Sequence, residues 1–469
     1  MKKYLFPVLA LFLSTQVFAA MNGQIINCDA PHPTQPQNCV DNWALDLLDE
    51  SKTAIETAPA ALPRDRKHYF DGTGAGVHVF MIDTGIDGNN PDFKVLGNPS
   101  QNRFGEGYYA INNDGDGSGS HGTRTAALAA GLQYGVAKGA TLHSIRSADV
   151  IAGSNGGDGI LDRLNWVYDK VTINGLKPAV LNMSFNIPRP VTSSSDPYIE
   201  AQLTQRVRDL INAGVVVTVS AGNKNSNNPA AFWPSNIPEV ILVGGVDENG
   251  NRWVRDTSDP DYNNICVGPP PPSRPINDCG SNYGSLIDIW APAKYIRSAV
   301  ILGNNDSLAP RVRSGTSYAA PLVAGLAALY LEQNPFATPA QVRAALLANA
   351  ANLGDIDGNG TADYLARSPV ATPACNVTQR LFVNTGVSVP FTSSQLEDSC
   401  PTGYSANAQF NASHGTVGIG GIGPNDILYR YTSNLNYTGM DQFNYLIYTN
   451  TGSTYGTGTM SVMVQPAYN

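Results

Sequence analysis

Three residues far apart in the chain, Asp83, His121 and Ser317, have the types needed for nucleophilic acyl transfer. A serine hydroxyl is a poor nucleophile until a base takes its proton. Imidazole titrates near neutrality and suits that task, and a carboxylate fixes its tautomer and stabilises the imidazolium. Asp83 ends the mostly apolar run Val77-His78-Val79-Phe80-Met81-Ile82 and is followed by Thr84-Gly85. His121 follows the Gly-rich stretch 113–120 and heads the small-residue run His121–Gly131. Ser317 lies in Ser314-Gly315-Thr316-Ser317-Tyr318-Ala319-Ala320-Pro321, ahead of the apolar stretch Leu322–Leu331. That stretch predicts a helix buried on every side, with Pro321 in its first turn. A serine at such a helix start meets free backbone N–H groups, and its own N–H can help hold an oxyanion. Asn223, after the β-branched run Val215–Val219 and Ser220-Ala221-Gly222, offers a side-chain amide to the same oxyanion.

The elements that must position these groups alternate between two periods. Strands are expected at Val77–Asp83, Thr141–Arg146, Ala179–Asn186, Val215–Val219 and Val240–Val246, with helices around Leu161–Lys170, Tyr198–Ala213 and Pro339–Asn349. Strands alternating with helices imply an α/β fold with a central parallel sheet covered on both faces. Active groups then gather at the carboxyl ends of the strands. Gly153–Gly159 is a Gly-rich segment ahead of the helix around Leu161–Lys170, and Arg255–Gly280, with Pro269–Pro272, reads as a surface excursion. From Thr372 the pattern changes to alternating strands, among them Asp426–Tyr431, Phe443–Tyr448 and Thr459–Val464. The length left, roughly 95 residues, suits one small all-β sandwich.

The 469 residues by size alone suggest two or three domains, and the net charge of −9 gives no nucleic-acid surface. Met1–Ala19 reads as a signal peptide: Lys2 and Lys3, the apolar Tyr4–Leu13, then Val17-Phe18-Ala19 as the cleavage site. Its apolar run is too short to span a bilayer, so export without a membrane anchor is expected, to the periplasm or outside the cell. Export favours disulfides, and the six cysteines fall into three sequence-local couples, Cys28–Cys39, Cys266–Cys279 and Cys375–Cys400.

The triad order Asp, His, Ser is that of subtilisin among the convergent triads. The chain resembles the subtilase family, most of all its proteinase K-like branch. The residues that carry this are Met81–Ile86, His121-Gly122-Thr123, Tyr134–Lys138, Asn182-Met183-Ser184, Ser220–Asn223 and Ser314–Ser317, with Trp43-Ala44-Leu45-Asp46 resembling a mature start. The resemblance spans Trp43 to Arg367 and implies a three-layer subtilisin-like domain and an endopeptidase acting through an acyl-enzyme. It places Gly153, Ser154, Asn155 and Gly156 and Ser184, Phe185 and Asn186 beside the substrate strand. Ser220, Ala221 and Gly222 line the primary specificity pocket, where small residues imply broad, mostly apolar preference. It also implies structural calcium held by the Pro238 and Val240 carbonyls with the Asp288 carboxylate. A second calcium loop is expected from the spacing of Asp355, Asp357, Asn359 and Asp363, with Gly360 at the turn. The tail, with His414-Gly415-Thr416-Val417 and Tyr437–Tyr445, resembles bacterial cadherin-like domains and implies binding or spacing.

The expected organisation is a signal peptide at 1–19, a short segment at 20–41, a peptidase domain at 42–368 and a cadherin-like domain at 372–466. The expected activity is that of a secreted, monomeric serine endopeptidase acting on proteins or peptides. The competing reading is a catalytically impaired subtilase, or an adhesin working through its tail. Three positions depart from the family pattern: Ser120 and Asn186 stand where Gly is usual, and Tyr318 where Met is usual.

Overall fold

A computed structural model describes residues 43–50, 52–57, 62, 72–95, 98–108, 121–147, 157–193, 196–255, 257, 266, 279–301 and 313–368. Toward the C-terminus it describes 379–384, 388–392, 404–408, 412, 415–422, 427–434, 439–449 and 454–465. The chain divides into two units at Pro373/Ala374. The signal segment, Gly153–Gly156 and the cysteines at 28, 39, 375 and 400 lie outside the described residues.

The first unit is built on one eight-stranded sheet. Its strands are β1 (His78–Asp83), β2 (Thr141–Arg146), β3 (Ala179–Met183), β4 (Val215–Ser220), β5 (Ile241–Val246), β6 (Ile289–Pro292), β7 (Ala351–Gly354) and β8 (Asp363–Leu365). Their spatial order is β7-β8-β6-β5-β4-β3-β1-β2, and only the β7–β8 pair is antiparallel. From β1 the chain pairs β2 on one side and then β3 on the other, so the strand order reverses around β1. Such a switch point opens a crevice beyond the carboxyl ends of the strands, and Asp83 stands at its lip.

Strand periodicity divides the interior into two cores. Val79 and Met81 of β1 join one apolar cluster, while Phe80 and Ile82 join the other. The first cluster takes up α3 (His121–Ala130) and α6 (Thr316–Gln333); N-terminal to them in the chain are α1 (Trp43–Asp49) and α2 (Lys52–Thr57). The second takes up α4 (Gly157–Thr172) and α5 (Ile199–Asn212). A further helix, α7 (Pro339–Asn349), starts on a capping box in which Thr338 and Gln341 satisfy each other's backbone N–H groups. Helix α3 can lie close to α6 because a Cβ on Gly325 would come within 2.7 Å of the Ala129 carbonyl.

Two expectations are corrected here. Helix α4 begins at Gly157, inside the Gly-rich segment and ahead of the expected start near Leu161. A Cβ at Gly157 would lie 2.6 Å from Ile199, so packing against α5 overrides the weak helix propensity of glycine. Helix α6 begins at Thr316, which puts Pro321 beyond the first turn and inside the helix. Proline there deprives the Ser317 carbonyl of its helical donor.

The second unit contains a four-stranded and a three-stranded sheet. Their strands are β9 (Gln379–Asn384), β10 (Ser388–Thr392), β11 (Tyr404–Ala408), β12 (Gly415–Ile422), β13 (Ile427–Ser433), β14 (Gly439–Thr449) and β15 (Thr454–Gln465). Val417 and Tyr431 are partners across β12 and β13, and both are buried.

Candidate active site

Asp83 is buried at the end of β1, and its carboxylate is held from several directions. Oδ1 accepts from the Thr84 N–H at 2.8 Å and faces His121 Nδ1 at 2.7 Å. Oδ2 accepts from Thr125 Oγ1 at 3.1 Å. Thr125 stands one helical turn beyond His121 on α3, so both reach the same carboxylate from one helix face. The N-terminus of α3 is tied to the β1 turn by Gly122 N–H donating to Thr84 Oγ1 at 2.8 Å. A Cβ on Gly122 would lie 2.1 Å from the Gly85 carbonyl, so this approach requires glycine. A carboxylate bound to Nδ1 leaves Nε2 as the basic nitrogen of the neutral ring.

Ser317 is the second residue of α6. Its hydroxyl donates to the Ser184 carbonyl at 3.1 Å. In return Ser184 Oγ donates at 2.9 Å to the Ser317 carbonyl, the oxygen that Pro321 leaves without a helical partner. Asn182 Nδ2 donates to Ser184 Oγ, and Thr218 Oγ1 donates to Asn182 Oδ1, which extends the link across β3 and β4. Asn223 is oriented by Thr316: its Oδ1 accepts from the Thr316 N–H at 2.9 Å and from Thr316 Oγ1 at 2.8 Å. The acceptor end of the amide is thereby committed, which leaves Nδ2 as the outward donor. Gly315 lets that amide approach, since a Cβ there would lie 3.3 Å from Asn223 Nδ2. The arrangement provides a hydroxyl, a base with its tautomer set, and two N–H donors for developing negative charge.

The subtilase family profile matches residues 74–368. The chain belongs to the subtilase family. It is 36% identical over 308 residues to an extracellular serine proteinase of Thermus sp. (strain Rt41A), covering 65% of this chain and 60% of that one. It is 28% identical to alkaline serine exoprotease A of Vibrio alginolyticus, over 70% of this chain and 50% of the relative. The chain thus spans half to three fifths of the length of these curated relatives. A crystal structure of a cold adapted subtilisin-like serine proteinase superposes with a TM-score of 0.51 at 30% identity, covering 70% of this chain and 97% of that structure.

Around the subtilase site, two of the expected substrate walls are described. Ser184, Phe185 and Asn186 leave the end of β3, while Ser220 ends the neighbouring β4 and Ala221 and Gly222 leave it. Phe185 is buried near Trp233, with ring centroids 6.3 Å apart. Cys266 and Cys279 are joined, with Cα atoms 5.3 Å apart.

The two calcium expectations fare differently. Asp288 Oδ2 accepts from the Leu242 N–H at 2.8 Å, and Oδ1 pairs with the Arg343 guanidinium. Arg343 Nη1 also donates toward the Pro238 carbonyl at 3.5 Å. A built-in cation therefore spans the carboxylate and carbonyl assigned to the ion, and the ligand set of Pro238, Val240 and Asp288 does not fit calcium here. Burial raises the Asp288 pKa, against the Leu242 N–H and Arg343. In the second loop, carboxylate oxygens of Asp355, Asp357 and Asp363 lie within 4.8 Å of one another, a hard-oxygen set that fits calcium. Asn359 reaches this loop from the same turn, donating from Nδ2 to Asp357 Oδ2 at 3.1 Å.

Sequence reasoning missed Thr125, Thr84 and Thr316, which orient Asp83, the start of α3 and Asn223. A signal existed for Thr125, four residues after His121 on an expected helix. None existed for Thr316, whose contact with Asn223 closes only in three dimensions.

Proposed function

We propose that this subtilase is a secreted serine endopeptidase. The observation that carries the reading is His121 Nδ1 at 2.7 Å from the buried Asp83 carboxylate, together with a serine at the open end of a buried helix and the oriented Asn223 amide. In the reaction, Ser317 exchanges its hydrogen bond to the Ser184 carbonyl for one to His121 Nε2. Its Oγ then attacks the peptide carbonyl carbon while His121 takes the proton. The carbonyl oxygen becomes an oxyanion, which accepts from the Ser317 N–H and from Asn223 Nδ2. Collapse of the tetrahedral intermediate breaks the C–N bond, and His121 returns the proton to the leaving amine. Water repeats the sequence on the acyl-enzyme and frees Ser317. Asp83 accepts from His121 Nδ1 throughout and stabilises the imidazolium.

The substrates are proteins or peptides lying along Ser184–Asn186, with the side chain before the scissile bond between that wall and Ser220–Gly222. Asp355, Asp357 and Asp363, with Asn359, would hold a structural calcium ion, which would neutralise the charge of the turn before β8. The extracellular character of the Thermus relative supports secretion, with Met1–Ala19 as the export signal, and the second unit serves as a binding or spacing module. The test is the intact mass of the purified protein before and after a serine-reactive fluorophosphonate. One adduct, absent from Ser317→Ala, is expected, with casein hydrolysis lost in the same variant. No adduct on a folded protein would overturn the proposal.

A further inference from the structure

We infer that Asn186 closes the specificity pocket of this protease and makes it select small side chains before the scissile bond; this rests on the proteolytic reading above. Asn186 donates from Nδ2 to the Ser220 carbonyl at 2.8 Å and to Ser235 Oγ at 2.7 Å. Both acceptor residues are buried, at 1% and 3% exposure, so neither is served by bulk water. A backbone carbonyl can only accept, which fixes the amide with its nitrogen inward and its oxygen toward the other wall. There Oδ1 would meet a Cβ on Gly222 at 3.0 Å, and it also faces Ser220 Oγ at 3.4 Å. The Asn186 side chain therefore bridges the two walls that leave β3 and β4 and covers the bare backbone of Gly222.

The position of the bridge decides its consequence. The Ser184 carbonyl touches the Ser317 hydroxyl, and Asn186 lies two residues further along the same wall. Asn223 aims its amide at the oxyanion, and Gly222 is the residue before it. A substrate with its carbonyl carbon at Ser317 Oγ and its oxygen at Asn223 Nδ2 must place its adjacent side chain between these walls. Alanine or serine fits in front of the amide. Phenylalanine or leucine must displace it and break its two short hydrogen bonds, leaving the Ser220 carbonyl and the Ser235 hydroxyl only their long mutual contact at 3.4 Å in a buried setting. The broad apolar pocket implied by Ser220, Ala221 and Gly222 alone is narrowed by a residue from the opposite wall.

The experiment uses the mature protein and three chromogenic peptides that differ only in Ala, Leu or Phe before the scissile bond. Active sites are counted by fluorophosphonate labelling. Wild type is expected to favour Ala over Phe in kcat/KM by at least about tenfold, the scale of a few methylenes in a pocket. Asn186→Gly is expected to raise kcat/KM for Phe by about tenfold or more while changing Ala by less than about threefold. Ser235→Ala loosens one tether without entering the pocket, and is expected to shift the ranking in the same direction by less. It keeps the test available if Asn186→Gly fails to fold. A wild type that takes the label but cleaves after Phe as fast as after Ala overturns this inference and leaves proteolysis standing. So does an Asn186→Gly protein that scales all three substrates alike, with Ser235→Ala also leaving the ranking unchanged. A protein that takes no label and cuts nothing overturns both.

Discussion

Lowering the pH from 7 to 4 should cost the first unit about 3 kcal/mol of stability through His143. The ring is buried in β2 at 1% exposure and stacks on Phe80 with centroids 4.3 Å apart. Its Nδ1 lies 2.8 Å from the Glu106 carbonyl, which can only accept, so the proton of the neutral ring sits on Nδ1. Nε2 must then accept from His78 Nδ1, 2.9 Å away. Protonating His143 would set two N–H groups against each other until His78 moves its proton from Nδ1 to Nε2. Burial, with smaller contributions from His78 and Lys170, pushes the pKa from 6.5 down to about 4, against the Glu106 carbonyl and carboxylate. At 1.36 kcal/mol per pH unit the difference is about 3 kcal/mol. The folded pKa lies below the unfolded one, so the unfolded chain takes up the extra proton. Stability is complete above pH 6.5, falls as pH drops toward 4, and levels off below. His78, also lowered by burial, adds to the fall in the same direction. The assay is guanidinium unfolding between pH 7 and 4 in a Ser317→Ala background, which suppresses self-digestion. His143→Gln keeps a donor for Glu106 and cannot titrate, so its curve should be flatter by about 3 kcal/mol over that range. Parallel curves for the two proteins would refute the reasoning, because carboxylates that titrate near pH 4 are common to both.

Three further outcomes follow from the site and its supports. Asn223→Ala should lower kcat by about 10²–10³ with little change in KM, a magnitude established on a member of the same family; stopped or steady-state kinetics on one peptide check it. Arg343→Met removes the counter-ion of Asp288, and because the Arg343 side chain is 36% exposed the pair is discounted to about 1 kcal/mol, read as a lower Tm. Calcium should raise the Tm of that variant more than that of wild type, since the vacated carboxylate and carbonyl can then take an ion; equal responses would mean that Arg343 does not stand in for one. Chelation should lower the Tm of wild type and leave a doubly substituted Asp355→Asn, Asp357→Asn protein unchanged, as followed by calorimetry.

The sequence was most legible where one short segment contained both the group and the element presenting it. β1 ends at Asp83, α3 opens on His121 and α7 opens on its capping box, each set by local periodicity and a boundary residue. It was least legible where partners are distant. Arg343 reads as an exposed residue of an amphipathic helix, and only the fold brings it to Asp288, 55 positions earlier. Val240 and Pro238 therefore looked like part of an ion site. The Asp-Gly-rich turn between β7 and β8 hides two short strands, because the turn residues dominate any window that includes them.

Pro321 shows how one misplaced boundary can conceal a function. With the helix assumed to start later, the proline was harmless and explained nothing. With α6 beginning at Thr316, the proline removes a hydrogen bond from Ser317, and the freed carbonyl is taken by Ser184 Oγ at 2.9 Å. The Ser317 backbone is thereby fastened to the segment that leaves the end of β3. A helix residue that would ordinarily be held only by its own helix is held by the sheet as well. Ser317 and Ser184–Asn186 are then positioned as one body, so under the proposed mechanism the attacking hydroxyl and the peptide-binding wall share a reference frame.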